Sequence, residues 1–416
     1  MKHRIVACLL SWLILLGGGG AMAENVYFSK DAEADWYQMV LRDAQMSLGN
    51  SLRLKRVIER AQAGETVTVA FIGGSITEGA GASQYQECYA YRVFQGFKER
   101  FGVGDKTNVH CVNAGVGGTP SPFGLMRYQR EVVDRVRDGD GLPDLLVIEF
   151  AVNDYQEPTN HRAYESLVKT ALMQENAPAV ILLFSVFDGG FNLQAELRPI
   201  GERYDLMMVS IKNGAYPRIG TKWTKEQFFF DQYHPTSLGH AVMADCVLAA
   251  IDAAAARDTA ETDIDLTAAP AYGTDYLGLV SVFGDSDLAD MDIQLDRGAF
   301  DKDDTSAYRN TPVGRVCGKN FYNDGKGNNA PLRFTAAFKN LLVAWRAVNS
   351  DSYGTAQILV DGKVVKSLTG GKDKWGQSEV ALAYKAEESA EHTVEIRMAE
   401  GSEEKKFTVT CISFTP

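Results

Sequence analysis

The chain has little cysteine, no concentrated basic charge and no internal repeat. Six cysteines occur in 416 residues and no two stand at C-x-x-C spacing, so a zinc or redox site finds no support. Lys and Arg number 42 against 54 Asp and Glu, a formal charge of −12. Without a basic cluster a polyanion has no track to follow, which excludes nucleic acid as an expected partner. Apolar runs of bilayer length are also missing beyond the first 23 residues, so no integral membrane segment is expected there. At 45% hydrophobic and 23% charged, the composition excludes a disordered, collagenous or coiled-coil chain.

What is present starts with Met1-Lys2-His3-Arg4, followed by the apolar run Ile5 to Leu16, four glycines and Ala21-Met22-Ala23. This is the order of a signal peptide: basic region, short apolar core, then small residues at a cleavage point. Twelve apolar residues fall short of the roughly 20 that span a bilayer. The expectation is cleavage after Ala23 and a secreted, periplasmic or cell-surface protein. Removing Lys2 and Arg4 would leave 40 basic residues against 54 acidic ones, or −14. Cys88, Cys111, Cys246, Cys317 and Cys411 would remain. An exported compartment permits disulfides, but the count is odd, and small buried hydrophobes are the better reading.

At roughly 150 residues per domain the length allows two or three domains, and the pattern changes near residue 260. Residues 24–66 lead in, with a helical pattern over 32–63. From 67 to 256, the apolar runs at 67–72, 108–112, 145–150 and 179–186 alternate with helix-period stretches at 88–101, 123–138, 163–175 and 237–256. Runs without strict alternation suit strands covered on both faces, so this region is expected to be α/β, with a doubly wound, mostly parallel sheet in three layers. Residues 257–270 read as a linker. Residues 271–416 hold short strands separated by turns, 332–338 and 341–348 among them, with Asp361-Gly362 as a hairpin signal, and predict a C-terminal all-β sandwich.

The chemistry falls in the first domain. The run at 67–72 leads into Gly73-Gly74-Ser75-Ile76-Thr77-Glu78-Gly79. Neither the P-loop, the dinucleotide fingerprint nor the G-x-S-x-G elbow is matched. The turn can still present a serine beside backbone N–H groups, or be only a tight βα turn. A serine nucleophile needs a base, and the base an orienting acid. His110 falls in an apolar strand, His161 and His392 in polar contexts, and His240 on the last helix. His234 stands in Asp231-Gln232-Tyr233-His234-Pro235, with a carboxylate three residues upstream. One loop can therefore bring Asp231 to Nδ1 and leave Nε2 facing a serine.

Together these residues resemble the SGNH (GDSL-type) hydrolases, whose blocks recur in this order. Gly73-Gly74-Ser75 is similar to the nucleophile block, Asn113-Ala114-Gly115-Val116-Gly117-Gly118 to the oxyanion block, Val152-Asn153-Asp154 to the Gly-x-Asn-Asp block, and Asp231-x-x-His234 to the last. The resemblance implies catalytic Ser75, Asp231 and His234, and an oxyanion hole from Ser75, Gly118 and Asn153. It implies acyl transfer without a metal or cofactor. Gly74 replaces the usual Asp and Ala151 a usual Gly. A second Gly284-Asp285-Ser286 lacks a following Asp-x-x-His and reads as a turn.

The layout resembles bacterial carbohydrate acyl esterases with an appended β-sandwich, so an acetylated polysaccharide or oligosaccharide is the expected substrate. Trp345, Tyr353, Trp375 and Tyr384 could stack on sugars or pack within the sandwich. The acidic run Asp285 to Asp304 fits no Ca²⁺ loop pattern and reads as solvated. Two alternatives stay open. One is a lipid esterase or lysophospholipase, with Phe184, Phe187 and Phe191 lining an acyl channel; the other is a non-catalytic carbohydrate-binding surface protein.

Overall fold

The computed structural model describes residues 27–416 except 140, 259, 261, 290, 292, 308, 312, 313, 317 and 372–376. The expected signal segment, Cys317 and Trp375 lie outside the described residues.

The first domain is built on six strands: β1 (Gln45–Ser47), β2 (Val67–Gly73), β3 (Val109–Gly115), β4 (Leu145–Glu149), β5 (Ala179–Phe184) and β6 (Met207–Ser210). Their order is 1-6-5-4-2-3. β2 to β6 pair in parallel and β1 adds an antiparallel edge. Residues 24–66 are thus more than a lead-in, because they supply β1 and two helices, Asp35–Ala44 and Leu52–Gln62.

Each central strand is buried on both faces, which explains its unbroken apolar run. In β2, Val67, Val69 and Phe71 enter one core with helices Asp35–Ala44, Leu52–Gln62, Tyr89–Phe101 and Ser237–Ala256. Ala70 and Ile72 enter the other core with helices Ser121–Glu131, Arg162–Leu172 and Gln194–Arg203. Ser237–Ala256 corrects one expectation. It is long and apolar enough to cross a membrane by length and composition. Most of its residues are buried here against the sheet and neighbouring helices.

Strand order reverses around β2: the chain moves from β2 outward to β3, then returns to β4 on the other side. Open α/β sheets bind ligands at such a point, outside the carboxyl ends of the strands. Ser75 follows β2, Gly118 follows β3 and Asn153 follows β4.

The second domain is antiparallel all-β. Strands β7 (Val280–Val282), β8 (Leu295–Asp296), β11 (Phe321–Asn323), β12 (Leu332–Ala347), β13 (Thr355–Val360), β14 (Lys363–Thr369), β15 (Gln377–Met398) and β16 (Phe407–Thr415) form one hydrogen-bonded network, with a separate ribbon of β9 (Arg309–Thr311) and β10 (Gly314–Val316). The turn between β13 and β14 is Asp361-Gly362, at φ 51° and 75°, as a two-residue hairpin with positive φ at both positions requires. Two separately expected strands at 332–338 and 341–348 are one strand, β12, with irregular register near residues 338–342. Along Leu332–Phe338 burial alternates, and beyond it both faces are covered.

That second covering is the first domain. Tyr276, Phe283, Leu342, Ala344, Val380 and Cys411 join the core beneath helix Ser121–Glu131. The connecting chain is also fastened. Arg53 pairs with Asp263 at 2.7 Å. The Glu165 carboxylate, fully buried, accepts the backbone N–H groups of Ala271, Tyr272 and Gly273 at 2.7, 2.6 and 2.9 Å. A buried carboxylate is retained only where its hydrogen bonds are made, and here they fix one domain's entry against the other. Cys88, Cys111 and Cys246 are free thiols.

Candidate active site

β2 ends where Gly73 and Gly74 remove side chains, and Ser75 opens the short helix Ser75–Glu78. Gly74 stands where the resembled block carries Asp. A Cβ there would lie 2.3 Å from Asn153 Oδ1, so the Asn153 amide occupies the space that a side chain would need.

His234 lies on a loop closed by Phe230 N–H donating to the His234 carbonyl at 2.9 Å and by a bridge between Phe229 and Pro235. Its Nδ1 is 3.0 and 2.9 Å from the two Asp231 oxygens, and its Nε2 is 2.9 Å from Ser75 Oγ. Asp231 Oδ1 also accepts the N–H groups of Tyr233 at 2.7 Å and His234 at 2.9 Å. Burial opposes ionisation of Asp231, but hydrogen bonds from the His234 ring and these two amides outweigh it and hold the carboxyl below its ordinary range. An ionised carboxylate can only accept, so Nδ1 carries the imidazole proton and Nε2 offers its lone pair to the Ser75 hydroxyl. The two loops approach closely because Gly81, at φ 90°, has no Cβ. One built there would meet the Pro235 carbonyl oxygen at 2.2 Å.

Ser75, Gly118, Asn153 and His234 line one cleft of about 770 Å³. The structure thus brings Ser75, Gly118, Asn153 and His234 to one opening, with Asp231 behind His234. Two further lining residues, Glu379 and Val380, come from the start of β15, so both domains enclose the cleft.

Several supporting residues escaped the sequence reading. Glu78, three residues beyond Ser75, accepts the Gly117 N–H at 2.6 Å and so ties the serine helix to the loop carrying Gly118. Asn113 donates to the Thr77 carbonyl at 2.8 Å and accepts the Gly115 N–H at 2.9 Å. Arg127, only 1% exposed, donates to the carbonyls of Ala114 and Gly73 and so clamps the ends of β3 and β2. His240 accepts the Tyr89 N–H at 3.2 Å and donates to the Ala80 carbonyl at 3.0 Å. Burial lowers it to about 4, which keeps it neutral. Glu78 was visible in the serine block itself, but its partner 39 residues away was not.

Beneath the site, Glu149 closes β4 and accepts from the Ser185 hydroxyl. Complete burial pushes its carboxyl up to about 7. Asp154, equally buried, accepts the Ser121 N–H at 2.7 Å and is held well above the carboxylate range by desolvation.

The remaining candidates resolve otherwise. His110 is exposed on β3, and His161 packs near Glu157 and Glu196. Phe184 is fully buried in the core beneath the sheet. Trp345 donates to the Thr369 carbonyl, Tyr353 donates to Asp304, and Tyr384 packs on Phe338 and His392. Ser286 lies within the turn Asp285–Leu288, whose Asp287 caps the Phe283 and Gly284 amides. Among the described residues, no group of three or more His, Cys, Asp or Glu gathers where it could hold a metal ion.

Residues 71–242 match the sequence profile of the GDSL-like Lipase/Acylhydrolase family. Over most of its length the chain is similar in structure to a two-domain esterase (CEX) active on acetylated mannans. The two are 27% identical with a TM-score of 0.74, over 90% of this chain and 98% of the esterase. A structure of a two-domain esterase (CEX) active on acetylated mannans, co-crystallised with mannopentaose, gives 26% identity and a TM-score of 0.73, over 90% and 97%. No curated protein sequence matches the chain.

Proposed function

We propose that the chain, a carboxylic ester hydrolase whose residues 71–242 match the GDSL-like lipase/acylhydrolase family, is exported and removes O-acetyl groups from a polysaccharide through Ser75, His234 and Asp231. The observation that carries this reading is the Ser75–His234–Asp231 relay opening onto a cleft of about 770 Å³ walled by both domains. An acetyl group alone fills a small part of such a volume, which is the size of pocket that takes a drug-sized ligand. The two-domain similarity to an esterase active on acetylated mannans supports a saccharide as the alcohol. The leader-like Met1–Ala23 supports export.

In this reading Ser75 Oγ attacks the acetyl carbonyl carbon while its proton passes to His234 Nε2. Asp231 stabilises the imidazolium through Nδ1–H. The oxyanion is received by the backbone N–H groups of Ser75 and Gly118 and by the Asn153 amide, each such donor contributing on the order of 10²–10³ in kcat. Collapse expels the sugar oxygen, which takes the proton from His234, and leaves acetyl-Ser75. Water, deprotonated by the same Nε2, attacks this ester. Acetate departs and the proton returns to Ser75. No step requires a metal or cofactor.

A series of p-nitrophenyl esters from acetate to octanoate, run beside acetylated mannan and xylan with released acid measured, tests the assignment. Acetate preference and acetate release from polysaccharide are expected. Preference for long acyl chains would contradict it.

A further inference from the structure

An aromatic wall runs outward from the histidine loop. Tyr233 sits 6.2 Å from the His234 ring, Phe187 5.1 Å from Tyr233, Phe191 5.9 Å from Phe187 and Tyr155 5.8 Å from Phe191, centroid to centroid. The Tyr155–Phe191 and Phe187–Tyr233 pairs meet edge to face, so each ring braces the next. The rings come from three separate segments that share no secondary-structure element.

The outer rings face water. Tyr155 is 64% exposed and Phe191 37%. A contiguous exposed apolar surface beside a cleft marks a binding surface more often than a packing accident. Tyr155, Phe187 and Tyr233 line the cleft itself, and much of the other lining is polar, including Glu78, Gln156 and Glu379. A pyranose ring has matching chemistry, an apolar C–H face for an aromatic ring and a rim of hydroxyls for hydrogen bonds. An acyl chain matches it poorly, since the wall opens to solvent and Phe184 is sealed in the core.

We propose that Tyr155, Phe191, Phe187 and Tyr233 form a sugar-stacking wall that holds the pyranose chain of the substrate next to the acetylated residue, with Tyr155 as its outer contact. This rests on the polysaccharide-ester reading above and adds to it where the chain lies. Rings with few rotatable bonds, already braced against one another, lose little freedom on binding.

The test uses the full chain carrying Tyr155→Ala, Tyr155→Phe or Phe191→Ala. Acetate release from acetylated manno- and xylo-oligosaccharides is compared with hydrolysis of p-nitrophenyl acetate and p-nitrophenyl octanoate. For Tyr155→Ala, KM on oligosaccharides should rise on the order of tenfold, with a smaller change in kcat. The ratio of kcat/KM on oligosaccharide to that on p-nitrophenyl acetate should fall by about fivefold or more, and Tyr155→Phe should restore most of it. An unchanged ratio with an active parent enzyme overturns the wall alone, and so does a selective loss on octanoate, which assigns the rings to an acyl chain. A parent that cleaves p-nitrophenyl acetate but no acetylated saccharide overturns the polysaccharide reading and the wall together.

Discussion

Among the described residues, two Asp–His pairs have nearly equal distances from carboxylate to Nδ1. Asp231 lies 2.9 Å from His234 Nδ1 in the first domain, and Asp361 lies 2.7 Å from His392 Nδ1 in the second. Both aspartates are held below the ordinary carboxylate range, Asp361 first by its bond from His392. The difference is at the other ring nitrogen. His234 Nε2 meets Ser75 Oγ at the mouth of a cleft, while His392 Nε2 is buried without a hydrogen-bond partner and its ring packs on Phe338 and Tyr384. An oriented imidazole is therefore not a site. A nucleophile, an approach route and donors for the developing charge decide which pair is chemical.

The comparison is broken most directly by removing each histidine. His234→Ala should lower kcat on p-nitrophenyl acetate on the order of 10⁴-fold or more. His392→Ala should leave that rate within about twofold and lower stability by roughly 1–3 kcal/mol through lost packing. Steady-state rates and thermal melts of both variants check this, and equal loss of activity would erase the distinction.

A smaller effect concerns the loop that carries Gly118 beside the first pair. Glu78 ties the serine helix to Gly117. Glu78→Ala should reduce kcat about tenfold, with Glu78→Gln recovering much of the loss, because the amide oxygen can still accept that N–H. An unchanged kcat in the alanine variant would deny Glu78 a positioning role.

The last effect leaves the chemistry alone and concerns stability beneath the site. Burial raises Glu149 from 4.5 to about 7. The folded protein thus keeps a proton that the unfolded chain releases. Between about pH 4.5 and 7, stability falls as pH rises, and above that the deficit is constant. Glu149→Gln should stabilise the protein relative to its parent at pH 8, by up to about 3 kcal/mol, with the advantage shrinking towards pH 5. Melting temperatures across that range would contradict the burial argument if the difference did not change with pH.

Much of this was legible in the sequence because it is local. The parallel sheet follows from apolar runs buried on both faces; Ser75, Gly118 and Asn153 stand just after those runs, and Asp231 and His234 just before the last helix. Contacts between distant segments were not legible. Asp245 anchors the Phe28 and Ser29 amides more than 200 residues away, and Glu165 anchors the connecting chain at Ala271 to Gly273. Nothing in the local pattern of either acid names its partner. His392 read as polar surface because charged residues flank it, whereas strand alternation turns its ring onto Phe338. The halves of β12 read as two strands because its register shift interrupts the alternation.

A fluorophosphonate tests whether Ser75 is the nucleophile activated by His234 and Asp231. Its phosphorus is attacked by an activated serine with loss of fluoride. Peptide mapping by mass spectrometry should find one adduct per chain, on Ser75, formed in step with loss of esterase activity and absent from Ser75→Ala. An adduct elsewhere accompanying inactivation, or full activity after Ser75 is modified, would exclude Ser75 as the nucleophile.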